Sequence, residues 1–131
     1  MPEVNRSDFQ ETVERCLVRH RSILDVLSKH QESCARVNRA VTKAVTNCGC
    51  LAVHARRQEI PDDAGFVDLR QFMATHLDGE VCESCREILK GEIGQHLFYL
   101  AALCAVLGLR LEEIRDKERA RLDALGPFSL N

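Results

Sequence analysis

The sequence predicts an all-α fold: a bundle of about four main helices plus a short connecting helix, built as one domain over residues 1–131. Three observations carry this. Apolar residues recur at three- and four-residue steps over long stretches, the period of a helix with one buried face. No glycine or proline interrupts the chain between Glu3 and Cys48. No segment of any length alternates with the period of two that marks a half-buried strand.

Residues 1–6 read as a frayed end. Ser7 is a suitable N-cap, and Gln10 three positions on completes a capping box. From there to about Ser28, a helical stripe runs through Phe9, Val13, Cys16, Leu17, His20, Leu24 and Leu27. A second stripe runs through Cys34, Val37, Val41 and Val45, past Gly49 to about Arg57. The break between the two is expected within residues 28–33. Residues 58–65 form a connection with turn chemistry at Pro61-Asp62-Asp63-Ala64-Gly65. Residues 67–77 read as a short helix with Leu69, Phe72, Met73 and Leu77 on its apolar side, ended by Asp78-Gly79. The central helix spans about 81–107, and Gly108 suits the left-handed residue that closes it. The last helix, about 110–125, is expected to turn Leu111, Ile114 and Leu122 inward. Gly126-Pro127 stops it, and Phe128 and Leu130 are placed against the body. Long helices with long apolar stripes often bury the surplus by pairing, so a homodimer is expected.

Composition removes several classes of function. The formal net charge is −2, with acidic and basic residues interspersed, so no broad basic surface for nucleic acid is expected. Residues 1–30 carry charges every few positions, unlike a secretory signal. The longest apolar run, 97–109, falls short of the roughly 18 residues a membrane span needs. These features place the protein in the cytoplasm and away from membranes. No GxGxxG, P-loop, GxSxG or HExxH pattern occurs.

The stretch 82–108, CESCREILKGEIGQHLFYLAALCAVLG, holds the richest chemistry. On a helix Cys85, Glu92 and His96 share one face, because positions seven and eleven apart nearly eclipse. Seven cysteines are many for a cytoplasmic chain, and clustered cysteines in a reducing compartment point to metal. Cys48-Gly49-Cys50 is a CxC and Cys82-Glu83-Ser84-Cys85 a CxxC. Together they supply four thiols, enough for a tetrahedral zinc site. A helix N-terminus beneath the CxxC favours the thiolate that binds metal. His54, four residues after Cys50, is an alternative ligand in place of Cys48. Buried thiols or a redox pair are the competing explanations; the redox one lacks its βαβ context. Cys16, Cys34 and Cys104 sit on apolar stripes and are expected in the core. His20 and His30 read as boundary residues, His76 as a helix-ending residue, and His96 as a core histidine more than a ligand.

Residues 92–103, EIGQHLFYLAAL, followed by Leu107-Gly108-Leu109 and Leu111-Glu112-Glu113-Ile114, resemble the C-terminal half of MazG-like proteins. These are all-α nucleoside triphosphate pyrophosphohydrolases related to the dimeric dUTPases. The resemblance covers about 92–122 and extends weakly to 46–52. It implies a helix carrying ExxE facing a helix carrying ExxD, with four carboxylates holding Mg²⁺ against a nucleotide's triphosphate. Glu92 matches the glutamate of ExxD and is the candidate catalytic residue. Gln95 stands where the aspartate belongs, and Asn47 and Cys50 fall at the two glutamate positions of the earlier helix. One carboxylate of four remains, a poor set for Mg²⁺, whereas thiolates favour a softer ion such as zinc. The expectation is a MazG-like helical protein with a cysteine–zinc site and without the standard hydrolysis. The alternative is a metal-dependent nucleotide pyrophosphohydrolase with altered ligands centred on Glu92, to which Asp78, Glu83 or Glu87 could add carboxylates.

Overall fold

A computed structural model of the chain describes residues 8–127. In order these form helix α1 (Phe9–Cys16), helix α2 (Ile23–Lys43), a π-helical turn (Ala44–Cys48), strand β1 (Leu51–Val53), a 3₁₀ turn (Phe66–Asp68), helix α3 (Leu69–Phe72), strand β2 (Leu77–Gly79), helix α4 (Glu83–Val106) and helix α5 (Leu111–Leu125). The fold is predominantly helical, as the periodicity predicts.

Two long helices, α2 and α4, lie against each other and form the spine. At eight residues, α1 is too short to persist alone in water, and packing holds it. It buries Val13, with Leu17 just beyond its end, against Val26 of α2 and Ala101 and Ala102 of α4. The two alanines let the helices approach closely, and Phe98, Leu103 and Leu111 close over the cluster. Asp8 caps α1, its Oδ1 accepting from the Glu11 amide at 2.8 Å. The expected cap Ser7, residues 1–6, Phe128 and Leu130 all lie outside the described residues.

Gln10 replaces its expected capping role with a tertiary one. It is 4 % exposed. Its Nε2 donates to the Leu109 carbonyl at 2.7 Å and its Oε1 accepts from the Leu111 amide at 2.7 Å. One side chain thus satisfies both backbone groups of the turn between α4 and α5. Gly108 makes that turn possible with φ of 71°, the closing role expected for it. Asp8 and Arg110 add an ion pair across the same corner.

Several expectations are corrected. The first helical stretch breaks at 17–22, not at 28–33. Ser22 caps α2 through its Oγ, which accepts from the Leu24 amide at 3.3 Å, and Asp25 supplies the acidic first turn. That start signal outweighs the continuous apolar stripe. The second helix does not run to Arg57. It widens into the π turn and stops at Gly49, whose φ of 79° leaves the helical region. A short antiparallel pair then forms, Leu51 opposite Gly79 and Val53 opposite Leu77. Strands of three residues are too brief to show alternation, and their pairing is long-range. The helix expected over 67–77 shrinks to the 3₁₀ turn and α3. Beyond it Met73 is extended, and Gln58 holds the Ala74 backbone, accepting from its amide and donating to its carbonyl at 2.9 Å. Cys16 and Cys34 are exposed and only Cys104 is buried. Cys34 follows the inward-facing Ser33 and so points about 100° away from α4. Ile114 and Leu122 are exposed too.

Gln10→Ala removes the side-chain partner of the Leu109 carbonyl and of the Leu111 amide, both part-buried. Urea unfolding should show a loss of about 3 kcal/mol with an unchanged denaturant slope.

Candidate metal centre

The four cysteines of the CxC and CxxC converge. Their Sγ atoms all lie within 4.8 Å of one another, and Cys48 and Cys82 are 3.7 Å apart. A tetrahedron with metal–sulfur bonds of about 2.3 Å has sulfur–sulfur edges of about 3.8 Å. The separation is far longer than the roughly 2.05 Å of a disulfide. The donor set therefore fits one thiophilic metal ion. Among the described residues, no other group of three or more His, Cys, Asp or Glu side chains converges in this way.

Local structure explains how each sulfur arrives. The π turn closes with the Gly49 amide bonded to the Ala44 carbonyl at 2.9 Å, an i to i−5 step that carries Cys48 to the end of the helix. Gly49 reverses the chain in a left-handed conformation, so Cys50 comes back beside the turn. Its thiol lies 3.7 Å from the same Ala44 carbonyl. The strand pair then brings the chain from β2 to the start of α4. There Cys82 is the N-cap, its sulfur accepting from the Cys85 amide at 3.4 Å. Gly79 makes the pairing possible. A Cβ at this position would stand 2.4 Å from the Cys50 carbonyl oxygen, and φ is 89°.

The thiols differ in acidity because they share protons and a helix end. The Cys85 backbone amide, aided by hydrogen bonds from the Cys85 and Cys48 thiols, lowers Cys82 to about 7. The Cys85 thiol, donating to Cys82 and partly desolvated, is pushed up to about 12. The Cys50 backbone and the Cys85 thiol pull Cys48 down, but the Cys82 and Cys50 sulfurs and desolvation outweigh them and the net shift is upward. The cluster thus offers one ready thiolate at neutral pH, and a cation must displace the remaining protons.

His54 is not brought to the cluster. The expected four-residue ligand spacing assumed a helix, but the backbone here is extended and four residues span about 13 Å. Its ring faces Asp78 at 3.5 Å and is largely exposed. His76 does not end a helix; it adopts φ of 59°, and its Nε2 is buried without a hydrogen-bond partner. Asp78, Glu83 and Glu87 are exposed and surround no common point.

The shared face of Cys85, Glu92 and His96 does exist, and it looks onto α2. Glu92 meets Arg36, with Nε to Oε2 at 3.0 Å, and Arg36 also reaches Glu32 at 3.7 Å. His96 Nδ1 lies 2.9 Å from Ser33 Oγ. Ser33 spends its single proton on the His30 carbonyl at 2.8 Å, so His96 is the donor of that pair. The His30 and His96 rings lie 5.0 Å apart. In the sequence Arg36 stands out only as a small basic cluster with Arg39, and no local pattern links it or Ser33 to α4.

Two outcomes test this site. Gly79→Ala should cost on the order of 2 kcal/mol, from backbone strain and the clash together, and should weaken metal uptake, both read by thermal melts with and without Co²⁺. Titration with Co²⁺, followed by sulfur-to-metal absorption, should show tighter binding above pH 7 than below it. Protonation of Cys82 should add about a tenfold loss of affinity per pH unit once pH falls below 7.

The chain matches no protein-family model, no curated protein and no solved structure.

Proposed function

We propose that this protein is a metal-clamped helical scaffold of MazG-like kind. In this reading Cys48, Cys50, Cys82 and Cys85 hold one zinc ion in a closed structural centre, and the standard nucleotide pyrophosphohydrolysis is absent. The observation that carries it is the distribution of burial. Between Ala44 and Ala101, Leu51 is the single buried residue. Almost half of the chain therefore has no hydrophobic core of its own, yet it holds two turns, a strand pair and most of α4. A four-thiolate zinc site supplies what burial does not; such sites contribute about 10–16 kcal/mol in small zinc-dependent folds. Four thiolates also leave no open coordination position for a reacting water, which favours a structural over a catalytic ion.

The surroundings of Glu92 support the loss of magnesium chemistry. Arg36 stands between Glu32 and Glu92, a fixed cation where a divalent ion would need the same two carboxylates. Gln95 and Asn47 bring no charge. The role left to such a chain is structural, regulatory or nucleotide-sensing.

A second reading keeps a nucleotide ligand and activity centred on Glu92. One observation favours it. A groove of about 530 Å³ runs beside Glu92 and is lined by Arg36, Arg39 and Lys43 along one side of α2. Three cations at helical spacing suit a phosphate chain.

The two readings separate experimentally. Elemental analysis of untagged protein should give one zinc per chain, and chelation should lower the melting temperature by well over about 10 °C. Cys82→Ser with Cys85→Ser should abolish both. A nucleotide panel with Mg²⁺, Mn²⁺ and Zn²⁺ should release no pyrophosphate. Absence of stoichiometric metal removes the scaffold reading; pyrophosphate release abolished by Glu92→Ala establishes the second.

A further inference from the structure

The excursion between the two thiol pairs carries a second cluster of polar chemistry. Val53 stands opposite Leu77, and the His54 amide donates to the His76 carbonyl at 2.8 Å, one step beyond the strands. On the far side Gln58 grips the Ala74 backbone. Residues 54–58 and 74–76 are thus tied at both ends. Against them lies a cavity of about 260 Å³, whose walls include His54, Arg56, Thr75, His76 and Asp78. Pockets for drug-sized ligands run to roughly 300–1,000 Å³, so this one suits a smaller molecule.

Three groups on these walls have bonding capacity that the fold does not use. Among the described residues, His76 is the one non-glycine with a positive φ. Such a backbone costs energy and persists only where its surroundings enforce it, as the two ties do here. The ring it carries has its Nε2 buried without a hydrogen-bond partner. A buried nitrogen left unpaired is costly, and a ligand atom bonded to it removes that cost. Arg56 has no ion pair or hydrogen bond among the described residues. The Thr75 hydroxyl accepts from the Leu77 amide at 3.3 Å, which leaves its own proton to donate.

We infer that this cavity binds a small phosphate group, either the free ion or a phosphomonoester. Its unused groups are donors: the Arg56 guanidinium, the Thr75 hydroxyl and His76 as its Nε2–H tautomer. The one carboxylate on the walls, Asp78, already faces His54 Nε2 at 3.5 Å. Donors carried by two facing segments match an anion whose oxygens point in four directions. A carboxylate offers two oxygens in one plane and leaves a donor unmet. The guanidinium fork is the side chain best shaped for a phosphate edge. The site shares no residue with the thiol cluster or with the groove beside Glu92, and it needs neither a metal ion nor Glu92.

Titration of the full-length chain as purified with inorganic phosphate, at neutral pH and constant ionic strength, tests it. NMR signals of residues 54–56 and 74–78 should shift saturably, with a Kd of about 1 mM or tighter. Glycerol phosphate in a parallel titration separates the two sources: tighter binding than phosphate assigns the ester, weaker binding the free ion. Acetate should bind at least about tenfold more weakly. Arg56→Ala should weaken phosphate at least about tenfold with an unchanged melting temperature. His76→Gly keeps the backbone, because glycine adopts a positive φ freely, and should weaken phosphate to a similar extent. If that variant fails to fold, Arg56→Ala decides. No saturable shift by about 20 mM phosphate overturns the assignment. So does acetate binding as tightly as phosphate, or a phosphate affinity unchanged in Arg56→Ala.

Discussion

The convergence of four sulfur atoms governs the half of the molecule that apolar burial leaves unheld. Hydrophobic packing needs contiguous apolar surface, and within residues 45–100 Leu51 alone is fully buried. In their place the chain brings two short ligand motifs together from opposite ends of a long excursion. The loop between Cys50 and Cys82 costs conformational entropy to close, and one ion shared by four thiolates can offset that cost. The strand pair, the left-handed Gly49 and the crowded Gly79 all act to deliver those sulfurs.

The seam between α2 and α4 changes chemical character along its length. At one end it carries thiols, then the Arg36–Glu92 ion pair, then the Ser33–His96 hydrogen bond beside His30. At the other end Ala101, Ala102 and Val26 form the dry core. The polar levels specify register more than they add stability, since a partly exposed ion pair contributes little. Their geometry lets α4 slide neither way without breaking a bond. The face of α4 that reads in the sequence as one stripe of ligands is thus three different contacts with one neighbour.

This arrangement bears on magnesium chemistry. A carboxylate that must hold a divalent ion needs other hard ligands turned toward the same point. Glu92 has a guanidinium there instead. The same seam that aligns the thiols therefore occupies the carboxylate, and in the groove beside it Arg36 is paired with Glu32 and Glu92, with Arg39 and Lys43 alongside.

What the sequence determined by itself was local chemistry. The spacing of Cys48, Cys50, Cys82 and Cys85 announces a ligand set, and helical periodicity with Gly108 announces α4 and its end, because both depend on neighbours a few residues apart. Tertiary structure decided what depended on distant partners. It turned 51–53 and 77–79 into strands, since each finds its hydrogen bonds only in the other. It took His54 away from the cluster by extending the backbone that follows Cys50. It exposed Cys16 and Cys34, although both lie on apolar stripes, because Ser22 starts α2 where periodicity shows no break and Ser33 takes the inward position. Periodicity reports which residues share a face; only the packed chain decides which face meets another.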